Sequence, residues 1–245
     1  MKIFAHRGFS GVAPENTMAA FERAVAIKAD GIETDVHLSK DGKVVICHDE
    51  TVNRTTNGSG SFQDLTWEEL QAFDAGSWFS PEFSKERIPS LEDLLKLVSK
   101  TNLILNIELK TDKVLYPQIE EKVLALLKEY DLIDRSMISS FNFQSLSNVK
   151  ALLPGIPTAA LIKDPQTIAN FWEQMLELKV NAIHPDHLYL TTDIIDAAQQ
   201  RGIQVNAWTP NQPEEIKRLI ELQIHGVITD FPEMAQQVLK TRAWG

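Results

Sequence analysis

Four short groups in this chain of 245 residues carry side chains suited to proton transfer and cation binding: His6-Arg7, Glu33-x-Asp35, His48-Asp49 and Glu108-x-Lys110. An imidazole titrates near neutrality. Two of them at opposite sides of one site can share acid–base work, one taking the proton of an attacking oxygen and the other protonating a leaving one. Three carboxylates brought together repel unless a cation neutralises them, and an all-oxygen set suits a hard ion, Mg²⁺ or Ca²⁺, better than zinc. Glu33, Asp35 and Glu108 are therefore the candidate metal ligands, and His6 and His48 the candidate acid–base pair. Arg7 and Lys110 offer donors to a phosphoryl group, with ion pairs to single carboxylates as the competing assignment. His37, His184, His187 and His225 stand alone and read as structural.

The stretch 31–50 must bring much of this set together. It reads as two strands joined at Asp41-Gly42, the dipeptide favoured by a two-residue turn whose central residues both need positive φ. Such a turn pairs Leu38 with Val45 and sets His48 opposite Asp35; a bulge would shift the register by one and turn His48 away. Alternation along the first strand puts Glu33, Asp35 and His37 on one face.

The remaining elements follow from periodicity. Lys2–Ala5 is a short strand ending in His6-Arg7-Gly8, and a helix follows with the apolar stripe Phe21, Ala24, Val25 and Ile27, capped by Asn16 or Thr17. Beyond residue 88, strands are expected at 103–109, 136–139, 158–161, 182–184, 203–207 and 226–229. Amphipathic helices alternate with them at 91–99, 116–129, 143–153, 166–178, 192–201 and 213–222, with a last helix after the strand at 226–229. With strands near Ile3 and Ile32 this makes eight βα units, the count that closes an irregular eight-stranded (β/α)8 TIM barrel, α/β in class, as a single domain over residues 1–245. A doubly wound open sheet is the alternative, but no Gly-rich dinucleotide fingerprint follows any strand. Residues 51–87 break the rhythm. They hold Phe62, Trp67, Phe73, Trp78, Phe79 and Phe83 but only one clear helix, capped by Thr66 with Glu69, and read as a small inserted subdomain at the barrel mouth. In a barrel the site forms at the carboxyl ends of the strands. The four groups fall there, joined by Ser139-Ser140-Phe141-Asn142, His184, Asn206-Ala207-Trp208 and Thr229-Asp230.

Composition narrows the partners. The chain is 43% hydrophobic and 24% charged, with net charge −10, which argues against nucleic acid or an anionic membrane. An anionic substrate needs local positive charge or a metal to overcome that field. One cysteine excludes an internal disulfide, and no stretch has the pattern of a signal peptide or the length of a membrane span. The expectation is a cytoplasmic protein with no stable membrane insertion.

The ordered series His6-Arg7-Gly8, Pro14-Glu15-Asn16-Thr17, Gly31-Ile32-Glu33-Thr34-Asp35, His48-Asp49, Ile88-Pro89-Ser90-Leu91, Ile107-Glu108-Leu109-Lys110, Ser139-Ser140-Phe141, Trp208-Thr209 and Thr229-Asp230-Phe231-Pro232 closely resembles the glycerophosphodiester phosphodiesterase family over essentially the whole chain. The resemblance implies the irregular barrel with an insertion after His-Asp. By it, His6 and His48 look like the acid–base pair, Glu33, Asp35 and Glu108 like ligands of one divalent ion, Arg7 and Lys110 like phosphate contacts, and Trp208 like an apolar wall for the glycerol end. The reaction it implies is hydrolysis of a small-molecule glycerophosphodiester, such as glycerophosphocholine or glycerophosphoethanolamine, to sn-glycerol 3-phosphate and an alcohol. Two rivals are a phospholipase-type phosphodiesterase acting on lysolipids and a catalytically silent phosphodiester-binding barrel. The complete histidine pair argues against the second, because binding alone needs no acid–base pair.

Overall fold

The computed structural model describes residues 1–242. In chain order its strands are β1 (Lys2–His6), β2 (Gly31–Leu38), β3 (Val44–Ile46), β4 (Ile104–Leu109), β5 (Ser136–Ser140), β6 (Thr158–Ile162), β7 (Ala182–Pro185), β8 (Gln204–Trp208) and β9 (Gly226–Thr229). All neighbours are parallel except β2–β3, and pairing of β1 with both β9 and β2 closes eight strands into a barrel. The helices between them are α1 (Met18–Ala26), α2 (Trp67–Gln71), α3 (Leu91–Val98), α4 (Ile119–Glu129), α5 (Phe143–Leu152), α6 (Phe171–Glu177), α7 (Thr192–Gln200), α8 (Pro213–Glu221) and α9 (Pro232–Arg242). The expected closed barrel is the observed one, with β3 as a ninth, antiparallel strand outside it.

Local chemistry explains most boundaries. Thr17 is the N-cap of α1, its hydroxyl accepting from the Ala20 N–H. Reciprocal capping boxes start α2 at Thr66/Glu69 and α3 at Ser90/Asp93. In α3, Leu91, Leu94, Leu95 and Val98 are all fully buried, an i, i+3, i+4, i+7 stripe whose burial contributes roughly 1.5–3 kcal/mol per side chain before entropy is counted. The single helix expected at 166–178 is two pieces, a 3₁₀ turn over Pro165–Thr167 and then α6, because Asn170 takes φ 51° between them.

The hairpin differs from expectation. Val36 pairs with Ile46, His37 with Val45 and Leu38 with Val44, one residue out of the register of a tight Asp41-Gly42 turn. Only Gly42 has positive φ (81°), and Ser39 pairs with Lys43 through the Ser39 N–H to Lys43 O bond of 3.0 Å. The link is thus a three-residue loop with glycine in the left-handed position, the geometry of a bulge. Asp41 is needed elsewhere: its carboxylate accepts from Ser39 Oγ and from the Trp67 N–H. In this register Cys47, not His48, lies against Asp35. Strand β3 stops at Ile46, however, and the chain bends there, so His48 still reaches the barrel mouth.

Residues 51–87 build on that hairpin. Val52, Phe62, Leu70 and Ala75 pack with Val45, Cys47 and Ile88, whereas Phe83 packs on Ala13 and Ala20 and Trp78 and Phe79 are exposed. Among the described residues no helix is long and apolar enough to cross a membrane.

Parallel register decides which side chains stand abreast. His6 pairs with Glu33 and Glu33 with Asn106; two residues nearer the mouth, Asp35 pairs with Glu108 and Glu108 with Ser139. Neighbouring residues in a parallel ladder point the same way, so three adjacent strands deliver the acids and one histidine to one region.

Candidate active site

Strand β1 ends in left-handed backbone. Arg7 (φ 55°) and Gly8 (φ 80°) both take positive φ, and a Cβ at position 8 would sit 2.6 Å from the Ala20 backbone, so only glycine fits there. The turn aims the Arg7 N–H at Glu33 Oε2 (3.0 Å). The Arg7 guanidinium donates from Nη1 to Glu15 Oε1 at 2.8 Å and holds Nε 3.5 Å from Asp35 Oδ2. Asn16 also occupies left-handed backbone, which asparagine tolerates. Its Nδ2 donates to Asp35 Oδ2 at 2.8 Å, and its Oδ1 accepts from Thr34 Oγ1 at 2.9 Å.

Glu33, Asp35 and Glu108 are buried, and each offers an oxygen within 4.8 Å of the others. Burial, and after it the charges of Asp35 and Glu108, raises the Glu33 carboxyl well above the usual range. Burial and the Asp35 charge push Glu108 up to about 8. Burial acts on Asp35 as well, but Arg7 and Lys110 outweigh it and hold that carboxyl low. Lys110 Nζ donates to Glu108 Oε1 at 2.8 Å and lies 3.9 Å from Asp35 Oδ1. Two cationic side chains thus face three acids, and Arg7 is shared with Glu15. Asp35 Oδ1 is buried without a hydrogen-bond partner, an orphan acceptor of the kind that costs about 1–3 kcal/mol if left unfilled. A hard divalent cation fits this donor set: all oxygen, with three carboxyls against two cations, and carrying one unsatisfied lone pair.

An aspartate holds each histidine at Nδ1: Asp230 Oδ1 lies 2.6 Å from His6, and Asp49 Oδ1 lies 2.7 Å from His48. An ionised carboxylate can only accept, so Nδ1 carries the hydrogen in both rings and Nε2 is the nitrogen free for chemistry. His6 Nε2 is 4.0 Å from Glu33 Oε2. Asp230 is itself gripped by Ser10 Oγ (2.9 Å) and Asn211 Nδ2 (2.6 Å). Its burial is outweighed by the hydrogen bond from His6 and those from Asn211 and Ser10, leaving the carboxyl at about 2. Burial lowers the His48 imidazole below its ordinary value.

These groups share a cavity of ≈ 220 Å³. His6, Arg7, Glu33, His48, Asn106 and Glu108 line it from the side of β1, β2 and β4, and Phe141, Leu161, Trp208 and Ile228 from the other strands. Trp208 stands edge-on to Phe141 with centroids 6.1 Å apart, and its Nε1 donates to His184 O at 2.7 Å. Of the residues singled out from sequence, His6, Arg7, Glu33, His48, Glu108 and Trp208 line the cavity. Asp35 and Lys110 lie behind it, in the acid cluster. Ser10, Asn211 and Asp230 have no site role legible in the sequence, and Asn16 reads there only as a possible helix cap. Asp230 stands out there only as one polar residue among several at strand ends, 224 positions from His6.

Of the other histidines, His37, His184 and His187 are buried, and His225 is exposed. His37 stacks on Phe62 (centroids 5.1 Å, 7° between planes) and meets Tyr116 Oη at 3.0 Å. His184 is buried with Nε2 3.0 Å from Asn206 Nδ2, and burial lowers it to about 3. It therefore stays neutral in the folded chain while an unfolded one protonates near 6.5, so its contribution to stability is whole above pH 6.5 and is lost as pH falls toward 3. At pH 4.5 the loss is about 2–3 kcal/mol. Urea unfolding of His184→Gln, which keeps an acceptor for Asn206, is expected to lose that much less stability than the parent between pH 7 and 4.5. Parallel curves for the two proteins would show that His184 protonates normally.

The model of the glycerophosphoryl diester phosphodiesterase family matches residues 6–234. The chain is 41% identical over 231 residues, 94% of each sequence, to a glycerophosphodiester phosphodiesterase of Caldanaerobacter subterraneus. It is 40% identical over 240 residues, 97% of each, to one of Bacillus altitudinis. Its fold is similar to that of an Oleispira antarctica phosphodiesterase solved in complex with the product sn-glycerol-3-phosphate, with TM-score 0.92, 31% identity and coverage of 98% of this chain and 97% of that one.

Proposed function

The chain belongs to the glycerophosphoryl diester phosphodiesterase family, and from that premise we propose that it cleaves glycerophosphodiesters such as glycerophosphocholine to sn-glycerol 3-phosphate and an alcohol by two-histidine acid–base catalysis. The observation that carries the proposal is the pair of aspartate-held imidazoles, His6 and His48, lining one cavity with the acid cluster. A site that only binds has no use for two imidazoles fixed in one tautomer.

The phosphodiester sits between the histidines with its glycerol end against Trp208 and Phe141, and the Arg7 guanidinium donates to a phosphoryl oxygen. One imidazole Nε2 removes the proton of the attacking oxygen, and the other protonates the departing alkoxide. The attacker is either water, which gives glycerol 3-phosphate directly, or the neighbouring glycerol hydroxyl, which expels the alcohol to leave a cyclic phosphate that water then opens; both routes use the same two nitrogens. Lys110 holds Glu108 and Asp35 in place and offsets their charge. Glu33, Asp35 and Glu108 would hold the divalent ion, which supplies neutralisation of charge developing on the phosphoryl oxygens. The Oleispira phosphodiesterase was captured with the product expected here.

Release of glycerol 3-phosphate is the test. A panel of glycerophosphocholine, glycerophosphoethanolamine and a lysolipid, each with Mg²⁺, with Ca²⁺ or with chelator, is expected to give product from the two soluble diesters only when an ion is present. Turnover confined to the lysolipid would transfer the assignment to a phospholipase-type reaction, for which exposed Trp78 and Phe79 would supply an apolar surface. Binding without turnover of any substrate would leave a silent barrel.

A further inference from the structure

Arg54 lies outside the cavity, between β3 and α2, with its side chain 44% exposed. Its guanidinium makes four hydrogen bonds all the same. Nη1 and Nη2 donate to Glu15 Oε2 and Oε1 at 2.8 and 2.7 Å. Nε and Nη2 donate to Asp49 Oδ2 and Oδ1 at 2.8 and 3.0 Å. Each of these carboxylates also serves a group in the cavity: Glu15 Oε1 accepts from Arg7 Nη1, and Asp49 Oδ1 from His48 Nδ1. One continuous chain, His48–Asp49–Arg54–Glu15–Arg7, therefore joins the end of β3 to the end of β1.

The loop that carries Arg54 is itself fixed. The Val52 N–H donates to Gly60 O at 3.0 Å, Thr56 Oγ1 donates to Val52 O at 2.7 Å, and Thr55 is buried beside Cys47. An exposed ion pair ordinarily contributes little, and a simple surface tie would carry no consequence for turnover. Two features set Arg54 apart. The planar guanidinium forks onto both carboxylates at once, which fixes direction as well as distance. Without it Glu15 and Asp49 would face each other as like charges, and their separation would draw Arg7 and His48 apart.

From this geometry we propose that Arg54 is a positioning residue for the phosphodiester reaction, setting the placement of the His48 ring relative to the Arg7 guanidinium. The inference rests on the reading of His48 as a proton-transfer group.

The test is steady-state kinetics on glycerophosphocholine, with thermal midpoints, for Arg54→Ala, Arg54→Lys, His48→Ala and the His48→Ala/Arg54→Ala double variant. Arg54→Ala is expected to lose about 10–100-fold in kcat, the scale seen when an outer partner of a reactive group is removed, with a thermal midpoint within a few degrees of the parent. Millimolar guanidinium should restore much of that loss, and ethylammonium at the same concentration should not. Arg54→Lys should remain impaired because an ammonium cannot fork onto two carboxylates. On the His48→Ala background the Arg54 substitution should cost far less than it does alone. Parent-like kcat in Arg54→Lys would overturn the inference, and so would a loss in Arg54→Ala that follows the thermal midpoint and ignores guanidinium. If Arg54→Ala does not fold, the lysine variant decides alone. Full turnover by His48→Ala would sink the two-histidine reading instead, whatever Arg54 does.

Discussion

Glu108→Gln is expected to lower turnover of glycerophosphodiesters by about 10³-fold, and chelation of divalent ions to abolish it in the parent protein. The charge stabilisation a bound cation gives a phosphoryl group is roughly several kcal/mol, and about 4 kcal/mol is a thousandfold in rate. Glutamine matches the volume of glutamate but removes one of three ligand charges. The same substitution should leave the ion-free protein about as stable as the parent. Burial and the Asp35 charge raise the Glu108 carboxyl to about 8, so at neutral pH without an ion that group is largely protonated, and the amide stands in for it. Adding Mg²⁺ or Ca²⁺ should then raise the thermal midpoint of the parent, as any ligand of the native state does, and not that of Glu108→Gln. Full activity in chelator, or an equal thermal response to ion in both proteins, would remove the metal assignment.

His6→Ala and His48→Ala should each cost about 10²–10⁴-fold in kcat, the usual contribution of a positioned acid or base. Their combination should cost little more than the worse single change, because both serve one proton relay and residues acting as a unit are not additive. The two differ in support: Asp230 is clasped by Ser10 and Asn211, whereas Asp49 depends on Arg54. A diester with a good leaving group, such as a p-nitrophenyl ester, needs no proton on departure. It should rescue whichever variant has lost the acid and leave the other impaired, which assigns the two roles. Turnover in both single variants within a few-fold of the parent would exclude the mechanism.

Much of the arrangement was legible without coordinates. The barrel could be counted from strand and helix periods, because short apolar runs alternating with amphipathic helices have few ways to bury both faces. The acids could be placed because a strand alternates faces and a barrel gathers strand ends at one rim, so Glu33, Asp35 and Glu108 had to converge. The hairpin register was not legible. Asp41-Gly42 satisfies two turn types, and what separates them is whether residue 41 takes positive φ. Ser39 Oγ and the Trp67 N–H settle that by capturing the Asp41 carboxylate, and Trp67 is remote in sequence.

The sequence by itself determined which chemistry was possible: two imidazoles, three carboxylates and two cationic groups at the ends of β strands that had to close on one another. Only the tertiary structure decided how each is held. Asp230 meets His6 across 224 positions, and Arg54 binds Glu15 and Asp49 from a loop with no periodic pattern. Lys110 turns to Glu108 rather than into the cavity. Periodicity constrains neighbours along one element, whereas these pairings are set by where separate elements meet, and local sequence carries no record of that meeting.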